Sequence, residues 1–409
     1  MRERIQINNE PLDEERFARH FFALWDRFEA AAVAEGAPAG AATKPVYFRY
    51  LTLMALHAYI SEGVDSAIIE CGIGGEYDST NILARPTVTA VTSLGIDHTA
   101  MLGSTLAEIA WHKAGIFKEG SVAFTAPQKE EAMAVLHARA AERRVTLHVI
   151  DTHPALANND IQLGLGAAFQ KTNASVAIAV AAAHLRALGH TSVPDPTRTA
   201  AIELPPEFVR GLEQVRWAGR CEIRRESHLA WHIDGAHTLE SIQVTARWFS
   251  EQIESSTSKP PSQSRQPRIL IFNQQTRDAS ALAKELYSTL QSSIASEGAS
   301  PFSHVLFTTN QTFNQGYKPD LVSMNTNQQD VDTLAVQKAL ARTWSEIDAS
   351  AEVRVLRTIE EAVAAARAIT RDHCEQATDA DAEVMALVTG SLHLVGGALE
   401  VLETGTAVQ

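Results

Sequence analysis

Short apolar runs that stop at Gly, Asp, Asn or Glu alternate with segments of helical period along most of the chain. Met1 to Ile7 reads as a strand-like piece. Asp13 can cap a helix in which Phe17, Phe21, Leu24 and Phe28 recur on one face, a stripe expected to be core. Val46 to Ile60 reads as a second helix stopped by Gly63. Strands are predicted at Ala67–Glu70, Val88–Leu94, Ser121–Ala126 and Val145–Ile150, with a helix at Lys129–Arg143. Leu163 to Leu188 is dominated by alanine and aliphatics, and its second half suits a buried helix. His190 to Pro206 reads as a linker. The pattern then restarts. Strands at Leu229–Ile233, Arg268–Phe272, around Val305, around Val353 and at Val384–Val388 are separated by helical segments such as Leu239–Ile253. Glu254 to Pro267 reads as a flexible insertion. Two successive βα arrays imply two α/β domains with mostly parallel sheets. The boundary is expected between residues 195 and 196, giving domains 1–195 and 196–409.

The stretch from Ala67 to Lys118 concentrates the polar groups at the ends of apolar runs. One run ends at Glu70 and leads into Cys71-Gly72-Ile73-Gly74-Gly75, then Asp78-Ser79-Thr80-Asn81. The next run delivers Asp97-His98. Side chains at the carboxyl ends of parallel strands face the ligand crevice. Glu70 and His98 are therefore candidate ligands for a divalent cation, with carboxylate oxygen the hard ligand that Mg²⁺ prefers. Thr105 to Glu108 fits a capping box and Gly115 a helix stop, so Lys113 sits in a last turn. Alone, Lys113 also fits simple complementation of the helix dipole, and His98 fits a histidine capped by its own neighbour. The glycines do not make a dinucleotide fingerprint: Tyr77 occupies the third glycine's place, and Glu70 would repel a pyrophosphate.

Composition narrows the classes. With 409 residues, 45% of them hydrophobic, the chain can bury substantial cores. A net charge of −14 lacks the basic face a nucleic-acid binder needs. Three scattered cysteines, Cys71, Cys221 and Cys374, give neither a disulfide framework nor a zinc knuckle, which points to a reducing compartment. No apolar stretch approaches a membrane span, and Met1-Arg-Glu-Arg does not read as a transit peptide.

The segments IIECGIGGEYDSTN, SLGIDH and EIAWHKAGIFK are followed by Trp217-Ala218-Gly219-Arg220, Asp234-Gly235-Ala236-His237-Thr238 and Val388-Thr389-Gly390-Ser391-Leu392-His393-Leu394-Val395-Gly396-Gly397. Together and in this order they resemble folylpolyglutamate synthases of the eukaryotic type, in the Mur ligase superfamily. The resemblance implies a P-loop-type central domain and a C-terminal Rossmann-like α/β domain. It implies an ATP-dependent ligase that adds glutamate to the γ-carboxylate of tetrahydrofolate through an acyl phosphate, with ATP and Mg²⁺ as cofactors. Glu70 and His98 match metal ligands, and Lys113 the lysine carbamylated in relatives. Arg220 and Asp234 match ATP-contacting residues, and His237 belongs to the same motif. Folate and L-glutamate are the implied small-molecule partners of a monomer, with no nucleic acid and no membrane. The cytoplasm is the expected location, with a mitochondrial form if an upstream segment exists.

The family's glycine-lysine phosphate loop, G-x-x-x-x-G-K-[ST], does not occur in these 409 residues. The central domain is therefore expected to be incomplete at its N-terminal side, and this polypeptide alone to add glutamate poorly. Asn273 to Asp278 looks like a shortened form of the family's Asn…Arg-Asp segment. Two other readings stay open: a relative lacking the loop that acts as a binding or accessory protein, and a dihydrofolate synthase-like ligase.

Overall fold

The computed structural model describes residues 2–197, 203–257, 267–275, 277–294, 300–314, 333–376 and 383–406. It is α/β with parallel sheets, as the alternating pattern predicts. The chain divides into two compact units, Met1–Asp151 with Ser175–Ile202, and Thr152–Ala174 with Glu203–Gln409. The sequence pattern placed one crossing near residue 195; the structural division crosses three times and assigns 152–174 to the second unit.

In the first unit a two-residue hairpin, β1 (Gln6–Ile7) and β2 (Glu10–Pro11), precedes α1 (Glu14–Ala34) and α2 (Tyr47–Ser61). Asp13 caps α1 by accepting from the Arg16 amide at 2.7 Å, and the Phe17–Phe28 stripe packs on Tyr50, Leu51 and Met54 of α2. Three parallel strands follow in the order β3 (Val88–Val91), β4 (Val122–Thr125), β5 (Thr146–Val149). Between them run α3 (Thr99–Leu102), α4 (Leu106–Lys113) and α5 (Glu130–Glu142). One face of the sheet is covered by Leu106 and Ala110 of α4 and by Ala132, Leu136 and Ala140 of α5. The other face receives Val176, Ala179 and Ala183 of the long helix Ala168–Ala187.

Two strand expectations are corrected here. Ala67–Glu70 forms no strand and pairs with none among the described residues, and Ile68 is 98% exposed. An apolar run becomes a buried strand only where a neighbour supplies the other half of its ladder. The Val88 run leaves the sheet after Val91, and Leu94 and Ile96 pack on the helical layer instead.

In the second unit, short α6 (Pro154–Ala157), α7 (the Ala168–Ala187 helix, up to Ala174) and α8 (Pro206–Gln214) lead to a six-stranded sheet. Its strands are β6 (Glu222–Arg225), β7 (Leu229–Ile233), β8 (Arg268–Phe272), β9 (His304–Phe307), β10 (Glu352–Val355) and β11 (Val384–Thr389), in the order β10-β9-β8-β11-β7-β6, with only β6 antiparallel. Alternate residues divide between two cores. Leu270, Phe272, Met385 and Leu387 face α9 (Leu239–Thr257), α10 (Ala279–Ser293) and α11 (Ala335–Ile347). Ile269, Ile271, Val384, Ala386 and Val388 face α12 (Ile359–Gln376) and α13 (Leu392–Thr406). α9 extends to Thr257, so the predicted insertion begins as helix at Glu254; 258–266 lie outside the described residues. Strand order reverses at β11, which lies between β7 and β8. The carboxyl ends of these three strands, Asp234, Asn273 and Gly390, therefore sit at the switch point where α/β sheets bind ligands.

His232 on β7 is 2% exposed and packs against Trp248 and Phe249. Burial lowers its pKa from 6.5 to about 4. An unfolded chain takes up this proton near pH 6.5, and the folded one refuses it until about pH 4. The second unit should thus lose stability as pH falls through that window, by on the order of 3 kcal/mol from this residue. Urea denaturation at neutral and mildly acidic pH, compared with His232→Gln, checks this: the variant should show the shallower loss on acidification, and equal losses would contradict it.

Candidate active site

The first unit brings the glycine turn against the end of α4. Gly75 lies so close that an added Cβ would stand 2.7 Å from the His112 carbonyl oxygen and 2.9 Å from that of Lys113. The Glu76 amide donates to the His112 oxygen at 2.7 Å. Asn81 Nδ2 donates to the carbonyls of Glu76 and Gly115, at 3.2 and 3.1 Å. Asp78 closes the turn from inside: one carboxylate oxygen accepts from the Ile73 amide at 2.8 Å, the other from the amide and hydroxyl of Thr80. Gly74 has φ +71°, a conformation that favours glycine.

Thr105 and Glu108 form the predicted capping box of α4, and Lys113 is its last residue. Gly115 is not a left-handed stop. The chain continues as a 3₁₀ turn over Ala114–Ile116, and Gly115 is required because a Cβ there would stand 2.4 Å from the Glu76 Cα. Burial pushes the Cys71 thiol up, and the charges that then act on it are Asp78, Lys113 and Glu70. The Thr80 hydroxyl, which also bonds Asp78, reaches the Cys71 Sγ at 3.4 Å. Glu70 is exposed, and neither its carboxylate nor the Lys113 ammonium has a hydrogen bond or ion pair among the described residues.

His98 stands at the start of α3 in the left-handed region, φ 53° and ψ 37°, its amide held by Asp97 Oδ1 at 2.7 Å. A non-glycine residue here is strained, and such strain concentrates at functional sites. Its ring Nε2 lies 3.7 Å from Asp97 Oδ2, the capped arrangement the sequence also allowed. No contact joins His98 to Glu70 or Lys113. Among the described residues no group of three His, Cys, Asp or Glu side chains is arranged to hold a metal ion.

In the second unit, Asp234 is 5% exposed and fully engaged. Oδ2 accepts from the Cys221 amide at 2.9 Å and its thiol at 3.4 Å; Oδ1 accepts from the Ala236 amide at 3.0 Å and the Thr245 hydroxyl at 2.7 Å. Asp234 thus fixes the turn that carries Arg220. Gly219 (φ +71°) completes it, since a Cβ there would meet Val395 at 2.4 Å, and Gly235 donates to the Gly219 carbonyl at 3.0 Å. Arg220 is exposed and lines an open cavity of about 970 Å³ together with Arg216, Trp217, Cys221, Trp248 and Gln252. His237 turns Nδ1 to the Gly235 carbonyl at 2.9 Å. A carbonyl only accepts, so Nδ1 carries a proton and Nε2 is the ring nitrogen left facing away from this bond. Asn273 is buried in an amide chain, accepting from Gln337 at 2.8 Å and donating to Asn310 at 2.9 Å, while Asp278 caps α10.

Asp234→Asn places an amide nitrogen where a hydrogen bond must be accepted. It should destabilise the second unit by about 1–3 kcal/mol and loosen the Arg220 turn. Thermal unfolding together with the apparent affinity for ATP checks this, and an unchanged Tm would contradict the clamp.

These features define the chain as an α/β protein whose polar residues collect at the carboxyl ends of parallel strands and at one helix end. No protein-family model matches it. Among solved structures it resembles Mycobacterium tuberculosis folylpolyglutamate synthase complexed with ADP (TM-score 0.70, 22% identity, 98% of this chain and 81% of that one). It also resembles E. coli FolC in complex with DHPP and ADP (TM-score 0.60, 21% identity, 99% of this chain and 80% of that one). Among curated proteins, the folylpolyglutamate synthase of Neurospora crassa is 46% identical over 411 residues, covering 100% of this chain and 74% of that one. The Saccharomyces cerevisiae enzyme of the same name is 42% identical, covering 98% and 70%. The chain belongs to the folylpolyglutamate synthase family.

Proposed function

We propose that the protein is an ATP-dependent acid–amino-acid ligase that adds L-glutamate to the γ-carboxylate of tetrahydrofolate. The observation that carries this reading is the 46% identity, spanning the whole chain, to a protein named folylpolyglutamate synthase. A γ-carboxylate oxygen of the folate attacks the γ-phosphorus of ATP and ADP leaves, giving an acyl phosphate. The glutamate α-amino nitrogen then attacks the acyl carbon, phosphate leaves and the nitrogen loses a proton.

Binding, alignment and charge compensation supply most of the catalysis in such a sequence. A magnesium ion is usually held by one or two carboxylates with waters and phosphates completing its shell, and Glu70 is of the right chemistry to be one of them. Glu70 is a carboxylate with no other partner, and His98 is the second ligand proposed. The ion would compensate phosphate charge. Lys113 does the same as a cation; carbamylated, as the family resemblance implies, it becomes an anionic ligand. Arg220 offers a planar fork to phosphate, Asp234 sets the position of the turn that carries it, and His237 is the group proposed to take the ammonium proton on Nε2. Folate and glutamate are the proposed partners, and the cytoplasm the proposed location; no helix among the described residues is long and apolar enough to cross a membrane.

Side-by-side assays of tetrahydrofolate and dihydropteroate as glutamate acceptors, with protein expressed from its own locus, test the acceptor. Faster turnover of tetrahydrofolate is expected; preference for dihydropteroate would make it a dihydrofolate synthase-like ligase.

A further inference from the structure

A largely buried ion cluster holds Glu76, the residue that follows the glycine turn. Glu76 pairs with Arg139 and with Arg143, the latter at 2.8 Å. Arg139 also bonds Glu142 at 2.6 Å, and its guanidinium carbon lies 4.6 Å from the centre of the Trp111 ring. The Arg139 side chain is 5% exposed and that of Glu76 17%. Arg139 and Arg143 are four residues apart and so share one face at the end of α5. Nε of each is buried without a partner.

Such a cluster is poor value as a stability device. Desolvating the charges offsets much of their attraction, and an apolar substitute of similar shape often holds a fold as well. Its distinctive property is direction: a carboxylate held on both oxygens by charge-assisted bonds from two arginines has little freedom to move. The gripped residue is the one whose amide bonds the His112 carbonyl and whose Cα abuts Gly115. Its position therefore sets the spacing between the turn that follows Glu70 and the helix end that carries Lys113.

We propose that Arg139 and Arg143 are positioning residues: through Glu76 they hold the 71–78 turn at the distance from Lys113 that the ligase reaction needs. This rests on the ligase reading of the site. Trp111 stacks beneath Arg139 and keeps its fork facing Glu76, so α5, which carries no reacting group, governs the geometry of the phosphate-handling turn.

The test combines two readouts on Glu76→Gln, Arg139→Met and the double variant. Hydrogen exchange on the purified chain should show faster exchange at residues 72–80 in each, with β4 and β5 protected as before. In protein expressed from its own locus, kcat should fall by about tenfold to a hundredfold, and the double variant should be no slower than the worse single. Arg143→Gln, at a more exposed position, should change both readouts in the same sense by less, and serves where Arg139→Met does not fold. Wild-type exchange at 72–80, or kcat within about twofold of wild type despite faster exchange, would overturn the proposal. If the parent protein adds no glutamate at all, the ligase reading falls, and the exchange result still decides whether the arginines hold the turn.

Discussion

Glu70→Ala should abolish ATP-dependent glutamate addition while leaving the melting temperature nearly unchanged. The two effects separate because Glu70 is exposed and makes no hydrogen bond or ion pair among the described residues. Removing it breaks no packing. In the magnesium role proposed for Glu70, what it removes is an anionic ligand for the cation, and losing one preorganised electrostatic group costs on the order of a hundredfold or more in kcat. His98→Ala should act in the same direction. It would also relieve a left-handed residue only in part, since alanine at φ 53° remains strained. Steady-state rates over a magnesium titration check both. A normal rate in either variant would remove that residue from the site.

Gly75→Ala should be one of the most damaging single methyl groups in the first unit. The added carbon would stand 2.7 and 2.9 Å from two backbone oxygens, and backbone cannot turn aside as a side chain can. Relief requires the turn to move away from α4, breaking the Glu76–His112 hydrogen bond and separating Glu70 from Lys113. Overpacking of this kind costs about 1–3 kcal/mol, and activity should fall further than stability. Gly211→Ala is the control: it lies in α8 with nothing within 4 Å, and should be neutral or stabilising by up to about 1 kcal/mol. Thermal unfolding and glutamate addition measured on both decide the matter. Equal behaviour of the two variants would show that the turn does not need its close approach.

The two-fold alternation of βα units is legible because the inner strands of the second unit's sheet are buried on both faces. Leu229–Ile233 and Arg268–Phe272 announce themselves by composition and were placed with their observed ends. The capping box at Thr105 was equally plain, because three residues carry it. Ala67–Glu70 shows the limit. Its residues satisfy the strand pattern, but a pattern cannot say whether a partner strand lies beside it, and Ile68 faces solvent. Gly115 was read as a helix stop when its reason is the backbone of Glu76, far away in sequence. The Glu76–Arg139–Arg143 cluster was missed altogether. Its partners are 63 and 67 residues apart, and no local spacing announces such a pair. Asp234 stands out by its motif, but only the structure shows both of its oxygens engaged, Oδ2 by the Arg220 turn and Oδ1 by Ala236 and Thr245.

In the proposed reaction a folate carboxylate is phosphorylated before glutamate attacks. Protein expressed from its own locus can be given ATP, glutamate and tetrahydrofolate labelled with ¹⁸O in the γ-carboxylate. The account predicts a glutamate-extended folate and one labelled oxygen in the released phosphate. Extended folate accompanied by unlabelled phosphate, or no extension at all, would contradict it.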